Sequence, residues 1–250
     1  MIDVRLYVAL GLVSTLACGR IGFDPLQSGG SDASAEVDAT TLGTPDAGAA
    51  IDAKVQLPMI DAGIPLSLSQ STNSTMIIPQ WTFGCHQSAN NPWITGENFY
   101  IRRFDLSAEG VSAPFTIHTI RMGITEAIAG DGSGSQSATL NDYQVSGALV
   151  TANMSLVKSL PLTVPDQVDK FTNISIDVTL PGNSVFAVEY YVADGTAANN
   201  TLTLGYNNLG ETQPTYHRMP GCGYDEVTDI DTIDPFYESF HLIMEVSGTY

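Results

Sequence analysis

Cysteine is nearly missing from this chain: Cys18, Cys85 and Cys222 are the only three among 250 residues. Base is scarce too, with nine Lys and Arg against 27 Asp and Glu, a formal net charge of −18. Nucleic acid and anionic membrane surfaces would be repelled by such a protein, so neither is expected as a partner. The doublet Arg102-Arg103 does not change this, because neighbours on a strand point to opposite faces. The marks of common catalysts are also absent. No nucleophile elbow and no His-Glu-x-x-His is present, and the four histidines are scattered singly. His118 and His241 fall in strand patterns and read as structural or surface residues. Gly130-Asp131-Gly132-Ser133-Gly134-Ser135 has neither a lysine nor a following helix, so it reads as a turn and not as a phosphate cradle. A glycosidase built on strands needs two facing carboxylates, for which Glu189 and Glu245 are the candidates. Both equally suit solvent-facing strand positions, and the chain is read as a non-enzyme.

What is present begins with Leu6 to Ala17, an apolar run without charge. Twelve residues are too few to span a bilayer, which takes about 20, but they suit the apolar part of a secretory signal. Leu16-Ala17-Cys18 then resembles a bacterial lipoprotein signal, in which small residues precede a cysteine that becomes the lipidated first residue. Thr15 stands where such signals usually have leucine. The resemblance implies a signal peptide over residues 1–17, a lipid on Cys18 as the membrane anchor and, from Gly19, sorting to the outer membrane. Without lipidation Cys18 would be a free thiol in an oxidising compartment.

Residues 18–66 change character. Asp-Ala recurs five times, at Asp32, Asp38, Asp46, Asp52 and Asp61, among Gly, Ser, Thr and Pro, with Phe23 the single aromatic. So little apolar area cannot offset the entropy of ordering the backbone, and the segment reads as a self-repelling tether. Cys18 to Pro25 followed by this stretch is similar to the start of many lipoproteins of myxobacteria and related soil bacteria.

Residues 67–250 are enough for one domain with a full core. Their pattern has period two: Ile174, Ile176, Val178 and Leu180 alternate with polar residues, and Pro181-Gly182-Asn183 turns the chain into Val185 to Val192. Similar strands are expected over 99–106, 115–122, 137–145, 149–157, 201–206 and 241–247. With no convincing amphipathic helix, this predicts an all-β fold, an antiparallel sandwich of jelly-roll-like character. The stretches FYIRRFDL, FTIHTIRMGITEA, LPLTVPDQ, LTLGYNNLGETQPTY, CGYDEVTDI and FHLIMEVSG resemble a β-sandwich module at the C-terminal ends of bacterial secreted and cell-surface proteins. That resemblance implies an accessory or adhesive role, with no catalytic residues to transfer.

Cys85 and Cys222 flank most of this domain, and a disulfide is their expected fate in an oxidising compartment. The competing arrangement is zinc held by Cys85, His86, His217 and Cys222. A bridge would bring Trp81, His86 and Trp93 towards Tyr216, His217, Tyr224, Phe236 and Tyr237. Aromatic faces beside amides and carboxylates suit a sugar, and Trp81, Trp93, Tyr216, Tyr224 and Tyr237 are the candidate ligand-binding residues. Asn90, Asn91, Gln213 and Asp225 would form the polar rim. Equally, such rings pack around disulfides as ordinary core. Five carboxylates crowd residues 225–234, and Asp225, Asp229, Asp231 and Asp234 are candidate calcium ligands, with a solvated acidic loop as the alternative. The functional expectation is a tethered, non-enzymatic binding or adhesive module, for glycans or for an envelope or matrix protein. The alternatives are a purely structural envelope lipoprotein and a carbohydrate-active enzyme.

Overall fold

The computed structural model describes residues 63–79, 81–86 and 94–250. The expected signal peptide, Cys18, nearly all of the tether and Trp93 lie outside the described residues. Thirteen strands make up the described chain: β1 (Pro65–Ser69), β2 (Asn98–Asp105), β3 (Phe115–Ile128), β4 (Ser135–Val145), β5 (Met154–Pro165), β6 (Gln167–Leu180), β7 (Val185–Val192), β8 (Thr201–Leu204), β9 (Tyr206–Asn207), β10 (Tyr216–Met219), β11 (Tyr224–Asp229), β12 (His241–Leu242) and β13 (Met244–Thr249). They form an antiparallel β-sandwich, the fold class that the alternating pattern predicts.

One sheet runs β1-β13-β3-β6 and the other β11-β10-β2-β7-β4-β5, with β12 and β9 as a separate pair. β3 is long enough to serve two partners on one edge. It pairs β13 over Thr116–Met122 and β8 over Ile124–Ile128, while β6 follows its other edge. Ile117, Ile120, Met122 and Ile124 of β3 point inward and are buried, as are Tyr100, Phe104, Phe186, Val188 and Tyr190 of the facing sheet. Phe104 and Phe186 stack at 5.0 Å, and Phe115 of the first sheet meets Phe186 at 6.4 Å, so aromatic rings bridge the layers.

The β6–β7 turn shows why Pro181-Gly182-Asn183 is needed. A Cβ on Gly182 would lie 2.0 Å from the Ser112 carbonyl oxygen, and Asn183 adopts φ 57°, a left-handed value that asparagine tolerates. The strand expected over 149–157 is displaced. A 3-10 turn occupies Thr151–Asn153, and β5 starts at Met154 and continues through Pro161 to Pro165. β5 is an edge strand, where a proline's missing N–H interrupts no second ladder.

Arg102 and Arg103 do point to opposite faces. Arg102 is fully buried, with Nε and Nη2 donating to the Leu242 carbonyl and Nη1 donating to the Gln213 carbonyl and to Glu211 at 2.7 Å. This one side chain ties β2 to the 211–213 loop and to β12. Arg103 stays near the surface with its side chain 26 % exposed.

Candidate functional site

Cys85 and Cys222 are bonded, with Cα atoms 5.8 Å apart across a sequence separation of 137. Asn98, the buried first residue of β2, holds the Cys85 end. Its Oδ1 accepts from the Cys85 N–H at 2.6 Å, and its Nδ2 donates to the carbonyls of Cys85 and Gly96. The disulfide excludes the zinc arrangement, because both sulfurs are taken. His217 is also occupied: it is fully buried, hydrogen bonded through Nε2 to the Tyr206 hydroxyl, and in edge contact with Phe83 and Tyr100 at 4.9 and 4.5 Å. Burial, helped by Arg102, pushes its pKa down to about 3, so the ring is neutral.

From His217 a series of ring contacts leads outward past the disulfide. Phe83 meets Tyr237 at 4.4 Å, Tyr237 meets Phe236 at 5.4 Å, and Phe240 touches both. Trp81 stacks on Phe240 at 4.6 Å with planes 13° apart. Phe83 and Phe240 are buried, Trp81 and Tyr237 are partly buried against the core, and Phe236 is 57 % exposed. The 3-10 turn Pro235–Ser239 places Phe236, Tyr237 and Ser239 in one short turn, and Asp234 starts it by accepting from the Phe236 N–H at 2.8 Å. The result is an aromatic ledge of Trp81, Phe236 and Tyr237, supported from below by Phe240 and Phe83.

The structure thus gathers some of the expected ligand-binding residues and separates others. Trp81, Tyr224 and Tyr237 all pack against the inner core on the disulfide side. Tyr216 does not join them. It precedes the inward-facing His217 on β10 and so lies on the outer face of the six-stranded sheet, packed against Phe99 and Ile101. Asn90 and Asn91 of the expected rim lie outside the described residues, and Asp225 follows Tyr224 on β11 and is exposed. Phe83 and Phe240 are the members that the sequence reading missed; their closeness to the ledge depends on the disulfide and on the turn at Pro235.

The four aspartates weighed as calcium ligands fall at successive places along the chain, Asp225 and Asp229 in β11, Asp231 in the turn after it and Asp234 at the start of the turn Pro235–Ser239. Among the described residues no three His, Cys, Asp or Glu side chains converge to hold a metal. Two of the carboxylates are used locally: Asp229 accepts from the Asp231 N–H at 3.1 Å to start the turn Ile230–Thr232, and Asp234 starts the next turn. Asp225 is left exposed on β11. Capping two successive turns needs acceptors at those positions, which accounts for Asp229 and Asp234.

The carboxylates weighed for a glycosidase are also placed. Glu245, on the outer face of the first sheet, accepts from Ser67, Ser74 and Arg121. Those donors hold its pKa below the usual carboxylate range against the effect of burial. Glu189 lies on the outer face of the other sheet and, contrary to a solvent-facing position, is only 2 % exposed. Sheets in a sandwich pack about 10 Å apart, and two outward-facing groups on opposite sheets are further apart still. Glu189 and Glu245 therefore cannot flank one glycosidic bond.

No family model and no curated protein matches the chain. Among solved structures it is similar to the cysteine protease and lectin-like domains of Cwp84, a surface layer associated protein of Clostridium difficile, at 15% identity and TM-score 0.44, over 62% of this chain and 32% of that one. A clostridial Cwp84 structure after propeptide cleavage gives 13% identity and TM-score 0.44, over 62% and 36%. The chain spans about a third of the length of these structures.

Proposed function

We propose that this protein is a lipid-tethered, non-enzymatic binding module whose aromatic ledge takes neutral glycans. The observation that carries the reading is Phe236. It is a large apolar ring left 57 % exposed, yet it is held by contacts to Tyr237 and Phe240 beside a disulfide. A rigid exposed aromatic with a polar surround matches the apolar C–H face and hydroxyl edge of a pyranose. Asp234 and Glu238, on either side of Phe236 and Tyr237, supply hydroxyl acceptors. The acidic domain, with nineteen acidic and six basic residues over 71–250, favours an uncharged ligand over a polyanion.

In this reading the lipid on Cys18 anchors the protein in the outer membrane, and residues 18–66 give the domain its reach. Labelling with a radioactive fatty acid tests the anchor: the native chain takes up label and Cys18→Ser does not. The glycan is tested by retention of the oxidised protein on immobilised neutral polysaccharides, with Phe236→Ala as the variant that should not be retained.

A further inference from the structure

The outer face of the six-stranded sheet carries a second set of groups that neither the core nor the ledge uses. Strand alternation makes such a face ordinarily polar and wet, yet here a carboxylate is nearly covered. Glu189 on β7 receives hydrogen bonds from Asn141 Nδ2 at 2.9 Å and the Tyr143 hydroxyl at 3.1 Å, both on the same oxygen, Oε1. Among the described residues nothing donates to Oε2.

The register puts a complementary group close by. Ile101 on β2 pairs with Glu189, and Tyr216 on β10 pairs with Ile101, which makes one row across the sheet. The next row is Arg218, Phe99 and Tyr191. Arg218 lies with its guanidinium carbon 3.5 Å over the Phe99 ring and belongs to none of the ion pairs of the described residues. Tyr191 sits against Phe99 at 4.6 Å and donates its hydroxyl to Glu97. Stacking on Phe99 fixes the guanidinium in place while leaving its N–H donors unspent.

We infer that this face is a saccharide-binding site distinct from the ledge, with Glu189 Oε2 as acceptor, Arg218 as donor, and Tyr191 and Tyr216 as the partly exposed rings on either side. An amphiphile with hydroxyls that both donate and accept fits a carboxylate oxygen that has no donor beside an unspent guanidinium. The sugar is uncharged, because Glu97 and Glu189 outnumber Arg218 on the same patch and the domain as a whole is acidic. The inference shares with the proposed function the premise that the ligand is a glycan, but it does not rest on the ledge.

The experiment measures binding of the oxidised full-length protein to dextran and to a soluble β-glucan, with polygalacturonate as the polyanionic control. Glu189→Gln turns the carboxylate acceptor into an amide, and Arg218→Met keeps the cover over Phe99 while removing the donors. Each is expected to weaken binding to a neutral glucan by about tenfold or more, which is 1.4 kcal/mol, with an unchanged melting temperature. Tyr216→Ala, which removes one of the flanking rings, is the further variant should either fail to fold. Wild-type affinity in all three variants, with loss only in Phe236→Ala, overturns this site and leaves the ledge standing. Loss in these variants with Phe236→Ala unaffected establishes this site and removes the ledge. Binding to polygalacturonate alone overturns the uncharged ligand, and no binding to any of the three overturns both sites.

Discussion

Cys85 and Cys222, at opposite ends of most of the domain's sequence, are bonded to each other with Cα atoms 5.8 Å apart. The bond joins the segment that carries Trp81 and Phe83 to the one that enters β11 with Tyr224. It closes a loop of more than a hundred residues, and by the chain-entropy argument such a bridge contributes about 5 kcal/mol at most. Reduction, or the paired change Cys85→Ala and Cys222→Ala, is expected to lower the urea midpoint clearly without altering the far-ultraviolet spectrum in the absence of denaturant. A midpoint that does not move would show that the bridge contributes nothing.

Asn98 reinforces the same corner. Its side chain accounts for the Cys85 N–H and for the carbonyls of Cys85 and Gly96, all inside the protein. Asn98→Ala leaves buried polar groups unmatched and is expected to cost about 2 to 3 kcal/mol, read from denaturant unfolding. Asn98→Asp retains the acceptor but sets a buried carboxylate against the two carbonyls, and should cost at least as much at neutral pH.

Arg102 makes a buried ion pair with Glu211, at 2.7 Å. Burial lowers the arginine's pKa and Glu211 opposes that shift, while Glu211 is itself held below its ordinary range by His241 and Arg102 against the effect of burial. Removing one member strands the other, so Arg102→Met alone should cost about 3 to 5 kcal/mol. Arg102→Met with Glu211→Gln should recover part of that loss. Additive losses in the double-mutant cycle would mean that the pair is not coupled.

Asp142 gives the domain a pH dependence. It faces the core in register with Val188 and Lys158, is fully buried, and has no hydrogen-bond partner for either oxygen among the described residues. Burial alone raises its pKa to about 7. In the unfolded chain an aspartate titrates near 4, so between about 4 and 7 the folded form holds the proton more tightly. Stability from this group is full below about pH 4 and is lost as pH rises through 7. The loss is on the order of 4 kcal/mol, about three pKa units at about 1.36 kcal/mol each. Asp142→Asn should flatten unfolding free energy against pH over that range; an unchanged slope would contradict the assignment.

Much of the fold was legible because alternation reports directly on which side of a strand meets the core. β7 begins and ends where the pattern of Val185 to Val192 places it, and β6 extends the expected strand back to Gln167. β5 was misplaced because Pro161 and Pro165 argue against a strand unless it is known to be an edge, and edges are a property of the assembled sheet. β10 and β11 were not foreseen. Each is short and polar, and they form because β2 and β10 offer free edges to pair with.

The candidate sites divide in the same way. The disulfide was readable from cysteine scarcity, and from it the closeness of Trp81 and Tyr237. The side on which a residue falls was harder to read. Tyr216 and His217 are neighbours that face opposite ways, so placing the segment near the disulfide did not place Tyr216 on the ledge. Glu189 looks like a solvent-facing strand residue in the sequence. Its cover comes from Asn141 and Tyr143 on β4, a neighbour known only once the strand order is known.

The most direct test of the binding reading compares retention of the native and Phe236→Ala proteins, both oxidised and equally stable, on immobilised neutral polysaccharides at physiological salt. The account predicts that the native protein is held by at least one and that Phe236→Ala elutes about tenfold more readily, a change of about 1.4 kcal/mol. Equal elution of the two proteins, or no retention of the native protein on any neutral polysaccharide, would contradict it.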